Sequence, residues 1–293
     1  MKWEGRRQSD NVIRTGSSGR SVGGLGGLGS MGGGGLIIML ILALLFGQNP
    51  LEAILGGGGP LVPSENVNSE YKPRNAQEEE IGQFLSVVLA DTEDVWHELF
   101  KEANAQYKEP KLRIFQDQVN SGCGMASSRM GPFYCGADET IYIDVAFAKE
   151  LRTMFGAEGD FPFAYVLAHE VGHHVQKQTG KLMEVQGLRG RVGEREFNNE
   201  MVKLELQADY YAGVVAHHMK KRGYLDPGDV EEGMAAAAGV GDDRIQEMQG
   251  GRANPDTFQH GASEQRQRWF LNGYKYGNLQ NGNTFNVRDA KDL

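Results

Sequence analysis

The chain has 293 residues, 40% of them hydrophobic and 24% charged, which suits one globular domain with appendages and excludes a disordered polymer. The net charge of −9 is unevenly split: residues 1–48 carry +3, with Lys2, Arg6, Arg7, Arg14 and Arg20 against Glu4 and Asp10, and the remainder carries −12. An acidic body argues against nucleic acid as a partner, because phosphate binding needs a basic face.

No charged residue occurs between Arg20 and Glu52. Inside that window, "LIIMLILALLF" (36–46) is wholly apolar but, at 11 residues, short of the ~20 a bilayer span needs. Its flanks extend the uncharged stretch to 21 residues, 31–51, if glycine is accepted within it. A cleaved signal peptide would start sooner and end in a small-residue site. A buried core helix would show polar residues at helical spacing. The pattern therefore predicts a single transmembrane helix over 31–55, behind a basic, Gly-rich tail over 1–30. The positive-inside rule places that tail in the cytoplasm. A tether over 56–75 follows, and the body, 76–293, is expected on the periplasmic face of a bacterial inner membrane. Cys123 and Cys135 are disulfide candidates there; in a reducing compartment they would be free buried thiols.

In the body, Asn75 is a cap candidate ahead of "AQEEE", and apolar residues recur at helical spacing from Ile81 to Phe100. This predicts a long amphipathic helix carrying His97 as a surface residue. "KLRIFQDQV" (111–119) and "TIYIDVAF" (140–147) read as strands, separated by a Gly-rich loop that holds both cysteines. "FAYVLAHEVGHHVQKQTG" (163–180) reads as a buried helix stopped by Gly180, and 194–223 as a second long helix, also ended by a glycine. The order predicts an α+β fold with a small antiparallel sheet packed on long helices. The "GPFYC" and "TIYID" stretches are either an exposed strand beside the site, able to take a peptide by strand addition, or core sheet.

The chemistry concentrates in "HEVGHH", residues 169–174. His169 and His173 are four apart, so on a helix both rings reach one point on one face. Glu170 projects near the same edge. Neutral imidazoles hold zinc without cancelling its charge, and a carboxylate beside a zinc-activated water can act as general base. The motif alone is a weak signal. A catalytic zinc needs three protein ligands and one open position. The spacing that continues with Gly and a third His is absent, since Gln176 and Thr179 occupy those positions. "ELQAD" on the next long helix offers Glu205 as third ligand and Asp209, four residues on, as the acceptor that orients a ligand histidine.

These residues resemble the glutamate-zincin metallopeptidases, among them the HtpX-type membrane peptidases with H-E-x-x-H and E-x-x-A-D. The likeness is wider with the bacterial neutral zinc metallopeptidase family of YpfJ-like proteins: "KWEGRRQSDNV", "GPFYC", "TIYID", "HEVGHHVQ", "ELQAD" and "HGASEQR" are similar to that family's landmarks. The resemblance covers nearly the whole chain. It implies a zincin-like domain with Zn2+ held by His169, His173 and Glu205, and Glu170 as base.

His174 points well away from the other two around the helix and is expected to pack elsewhere. His217 and His218 close the second helix, where its dipole favours them. His260, in "FQHGASEQR", is a candidate for oxyanion stabilisation or for a helix-start role, and Arg266 is a weaker candidate for the first. The expected function is a membrane-anchored zinc endopeptidase acting on protein or peptide substrates. The alternative is a non-proteolytic, membrane-tethered zinc module that recruits a partner, its metal's fourth position closed by a side chain.

Overall fold

The computed structural model describes residues 1–16, 69–70, 73–147 and 159–293. The predicted anchor (31–55) and most of the tether lie outside these. Among the described residues, no helix is long and apolar enough to cross a membrane.

Among the described residues seven strands form: β1 (Val12–Gly16), β2 (Ser69–Glu70), β3 (Lys111–Phe115), β4 (Gln118–Ser121), β5 (Gly124–Ser127), β6 (Phe133–Cys135) and β7 (Thr140–Asp144). The helices are α1 (Ala76–Glu102), α2 (Phe161–Gln178), α3 (Lys181–Gln186), α4 (Glu194–Lys221), α5 (Asp229–Gly239), α6 (Asp242–Met248) and α7 (Ser263–Tyr276). Asn75 caps α1, its side chain accepting from Glu78 N at 2.9 Å. Gly180, in the left-handed region at φ 83°, stops α2.

The α+β class holds, but the sheet is mixed, not antiparallel. Its order is β2-β1-β3-β7-β6, with β1, β3 and β7 parallel and only the outer strands β2 and β6 antiparallel to their neighbours. The reason is visible in β7, whose five residues are all buried. A strand covered on both faces is buried along its whole length, as the strands of parallel sheets are. Leu112, Ile114, Ile141 and Ile143 face α1 and α2 in the main core. Phe115 and Tyr142 face the β4–β5 hairpin in a second, smaller core. "TIYID" is thus an inner strand and "GPFYC" supplies the outer one.

The N-terminal segment calls for a larger correction. Residues 1–16 are not a tail separate from the body. β1 lies inside the sheet, Val12 to Arg14 in parallel register with Leu112 to Ile114. Trp3 packs edge-on against Phe84 of α1. Arg6 pairs with the buried Asp91, Arg7 bonds Glu93 and Asp94 at 3.1 and 2.7 Å, and Arg14 bonds Glu79 at 2.8 Å. Three of the basic residues that suggested a cytoplasmic tail, Arg6, Arg7 and Arg14, are counter-ions of acidic residues on α1.

Candidate metal centre

α2 and α4 cross closely because Gly172 has no side chain; a Cβ there would sit 3.1 Å from Ala208 Cα. The crossing sets His169 and His173 on α2 against Glu205 and Asp209 on α4. The two Nε2 atoms are 3.1 Å apart, and the Glu205 oxygens lie 3.2 Å from His169 Nε2 and 3.4 Å from His173 Nε2. A tetrahedral zinc with bonds of about 2.0–2.2 Å has ligand–ligand edges of roughly 3.3–3.6 Å. Each imidazole therefore stands about one such edge from a Glu205 oxygen, His169 from Oε2 and His173 from Oε1, and this group can hold a metal ion.

The protonation pattern supports the fit. His169 Nδ1 lies 2.9 Å from Asp209 Oδ1, and His173 Nδ1 lies 2.9 Å from Gln176 Oε1. Both partners accept, so both rings donate through Nδ1 and turn a bare Nε2 toward each other and toward a carboxylate. Three acceptors in one buried spot are costly unless a cation joins them. A proton is the alternative: burial pulls His169 down, but Asp209 and Glu205 outweigh it and hold its pKa at about 9. For Glu205, burial is likewise outweighed by His173 and His169, which keep its carboxyl well below the usual range.

Asp209 is fully buried and saturated. Its Oδ1 accepts from the Tyr165 hydroxyl at 2.5 Å, His169 at 2.9 Å and Arg266 Nη2 at 2.9 Å, and its Oδ2 accepts from Arg266 Nε at 2.8 Å. Arg266 reaches it because α7 crosses α4 almost backbone to backbone; a Cβ on Gly273 would lie 1.9 Å from the Tyr210 carbonyl oxygen. Arg266 is thus the forked counter-ion of Asp209 and not a free oxyanion donor. Tyr165 was missed in the sequence, where it is one aromatic among the apolar residues leading into the motif.

Glu170 is buried, and its pKa is raised by burial against the opposing pull of His173 and His169. His260 Nδ1 bonds Asp242 Oδ1 at 2.9 Å, while Asp242 Oδ2 accepts the backbone N–H groups of Gln259 and His260 at 2.7 and 2.6 Å. Burial lowers the His260 pKa, yet Asp242 and, at longer range, Glu205 raise it overall. Asp242 was also missed, since nothing in "GDDRIQEM" links it to a histidine eighteen residues on.

The remaining histidines lie elsewhere. His174 faces the sheet side of α2, its Nδ1 on the Tyr134 hydroxyl at 2.9 Å and its Nε2 on the Lys108 carbonyl at 2.7 Å. His217 and His218 bond the carbonyls of Tyr274 and Gly277. His97 pairs with Glu109 on the surface. Cys123 and Cys135 are joined in a disulfide that ties the β4–β5 turn to β6.

A family model described as "Putative neutral zinc metallopeptidase" matches residues 1–285. "Uncharacterized protein YpfJ" of Escherichia coli (strain K12) is 43% identical over 289 residues, 97% of this chain and 99% of that protein. "Uncharacterized protein Rv2575" of Mycobacterium tuberculosis (strain ATCC 25618 / H37Rv) is 46% identical over 196 residues, 62% of this chain and 64% of that protein. No solved structure matches the chain.

Proposed function

The chain belongs to the neutral zinc metallopeptidase family, and from that premise we propose that it is an endopeptidase of the glutamate-zincin type. The observation that carries this reading is the grouping of His169, His173 and Glu205, whose ligand atoms lie within 4.8 Å of one another, with Glu170 on the same helix. When bound, zinc supplies Lewis acidity toward a peptide carbonyl and lowers the pKa of a bound water. Glu170 takes the proton from the attacking water and returns it to the leaving amine; its raised pKa suits both transfers. Asp209 holds His169 in the donating tautomer. His260, held by Asp242, takes the role of hydrogen-bonding the developing oxyanion in this reading. The outer strand β6, paired among the described residues with β7 alone, offers an edge to which a substrate strand can add. The test is peptide or casein hydrolysis by the purified chain and by Glu170→Gln. Stoichiometric zinc in wild type with no activity above the variant would favour the non-proteolytic zinc module.

We further propose that the apolar run 36–46 attaches the protein to a membrane with residues 1–16 and the body on one side of it. The run's composition supports attachment. The packing of residues 1–16 into the body supports a shared side, because a strand of the body's sheet cannot sit across a bilayer from it. The disulfide favours the oxidising side. Compartment reporters fused at residue 1 and at residue 293 should give the same signal; opposite signals would restore a single crossing.

A further inference from the structure

His173 has a holder unlike that of His169. Its Nδ1 meets the side-chain oxygen of Gln176, one turn along α2. The orientation of that amide is set by backbone groups. Gln176 Nε2 lies 2.7 Å from the Leu204 carbonyl and 3.1 Å from Gln207 Oε1. A carbonyl only accepts, so the amide nitrogen must face Leu204 and the amide oxygen must face His173. His173 therefore donates through Nδ1 and keeps Nε2 free for a metal. Gln207 is oriented in the same way at its far end, where its Nε2 donates to the Gly282 carbonyl at 3.0 Å. Two carbonyls thus fix two amides in series, and the series ends on a metal-facing imidazole.

The placement is specific. Gln176 is 0% exposed and Gln207 8%, and burying two amides between helices is costly unless both are paired. Leu204 directly precedes Glu205, so Gln176 grips an imidazole on α2 and the backbone beside the carboxylate on α4. The far anchor belongs to the C-terminal segment that runs along α4. Tyr210 donates to the Asn278 carbonyl at 2.9 Å, Thr284 to the Lys203 carbonyl at 2.6 Å, and Ala290 N to Asn199 Oδ1 at 2.7 Å. Gly282 comes this close only without a side chain; a Cβ there would lie 2.6 Å from the Tyr210 ring.

The geometry points to Gln176 and Gln207 as positioning residues for His173, through which docking of the C-terminal segment at Gly282 sets the affinity of the metal centre. The inference rests on the reading of His169, His173 and Glu205 as a zinc site. Partners that hold metal-binding histidines are typically worth about 10–100-fold in metal affinity.

The experiment measures zinc affinity of the full chain by competition with a chromophoric chelator, and the cobalt(II) absorption spectrum of the same proteins. Wild type should bind zinc stoichiometrically. Gln176→Leu should weaken zinc by about 10–100-fold and alter the cobalt bands. Gln207→Leu and Gly282→Val touch neither a ligand nor its direct partner, yet each should weaken zinc by up to about tenfold. The double Gln176→Leu/Gln207→Leu should bind no more weakly than Gln176→Leu alone, because the two amides act in series. A merely structural role would lower the melting temperature of the metal-free variants while leaving zinc affinity and the cobalt spectrum as in wild type, and that result overturns the inference. If Gln176→Leu fails to fold, Gln207→Leu and Gly282→Val decide the matter by the same readouts. A folded wild type that binds no zinc overturns the metal-site reading itself.

Discussion

The two imidazoles that face Glu205 are fixed by opposite means. His169 leans on a charged holder: Asp209, itself neutralised by the buried fork of Arg266 and hydrogen-bonded by the Tyr165 hydroxyl. His173 leans on a neutral one, the amides of Gln176 and Gln207. Both arrangements present a bare Nε2, so they are equivalent for ligation. They differ in what the fold risks. Breaking a buried ion pair strands a charge, at about 3–5 kcal/mol. Removing an amide strands only dipoles, at about 1–3 kcal/mol. Loss of the charged holder therefore weighs more on the fold than loss of the neutral one.

That contrast can be broken or sharpened by substitution. Glu170→Gln touches neither holder. Its activity should fall about 10²–10⁴-fold while zinc content, read by atomic absorption, stays at the wild-type level. Zinc loss in this variant would place Glu170 among the ligands and undo the picture of two held imidazoles. Asp209→Ala strands Arg266. Denaturant unfolding of the metal-free protein should show a loss of about 3–5 kcal/mol, and a loss under about 1 kcal/mol would mean the charged holder is not structurally special. Asp209→Asn combined with Arg266→Met converts the first holder into a neutral one like the second. Unfolding curves should return to within about 1–2 kcal/mol of wild type, because a buried pair replaced as a unit is nearly neutral. Zinc should still bind about tenfold more weakly.

The smallest effect lies on the outer flank of α2. Glu139 accepts from both Lys108 and Lys177, the latter at 2.6 Å, and these bonds lower its pKa from the ordinary 4.5 to about 2. A depressed carboxyl contributes stability that is present above 4.5 and is lost as pH falls through about 2. Glu139→Gln should therefore be less stable than wild type at pH 7 by under about 1 kcal/mol, with the gap closing toward pH 2, and zinc affinity unchanged. The check is a set of unfolding midpoints across that range.

Much of the centre is legible in one dimension because its spacing is helical. His169 and His173 meet because four residues make one turn, and Glu205 and Asp209 share a face for the same reason. The apolar "AYVLA" marks α2 as buried. Other parts are not legible. Gln176 shows in the sequence only as the absence of a glycine that another zincin pattern needs. Arg266 lies 57 residues from Asp209, and its fork depends on the close crossing at Gly273. Asp242 and His260 meet through a loop that no periodicity predicts. β1 was hidden because a basic segment before an apolar run reads as a membrane flank, whereas here its arginines meet α1.

The sequence by itself determined which side chains share a helical face, where α1, α2 and α4 begin and end, and that three candidate ligands and a further carboxylate were available on two helices. These follow from local periodicity and capping, which act within a few residues. Tertiary structure alone decided which faces meet, that the sheet is mixed with the N-terminal strand inside it, and that the two imidazoles facing Glu205 have different holders. Those outcomes depend on contacts between segments far apart in the chain, set by where glycines let helices approach and where buried polar groups find partners.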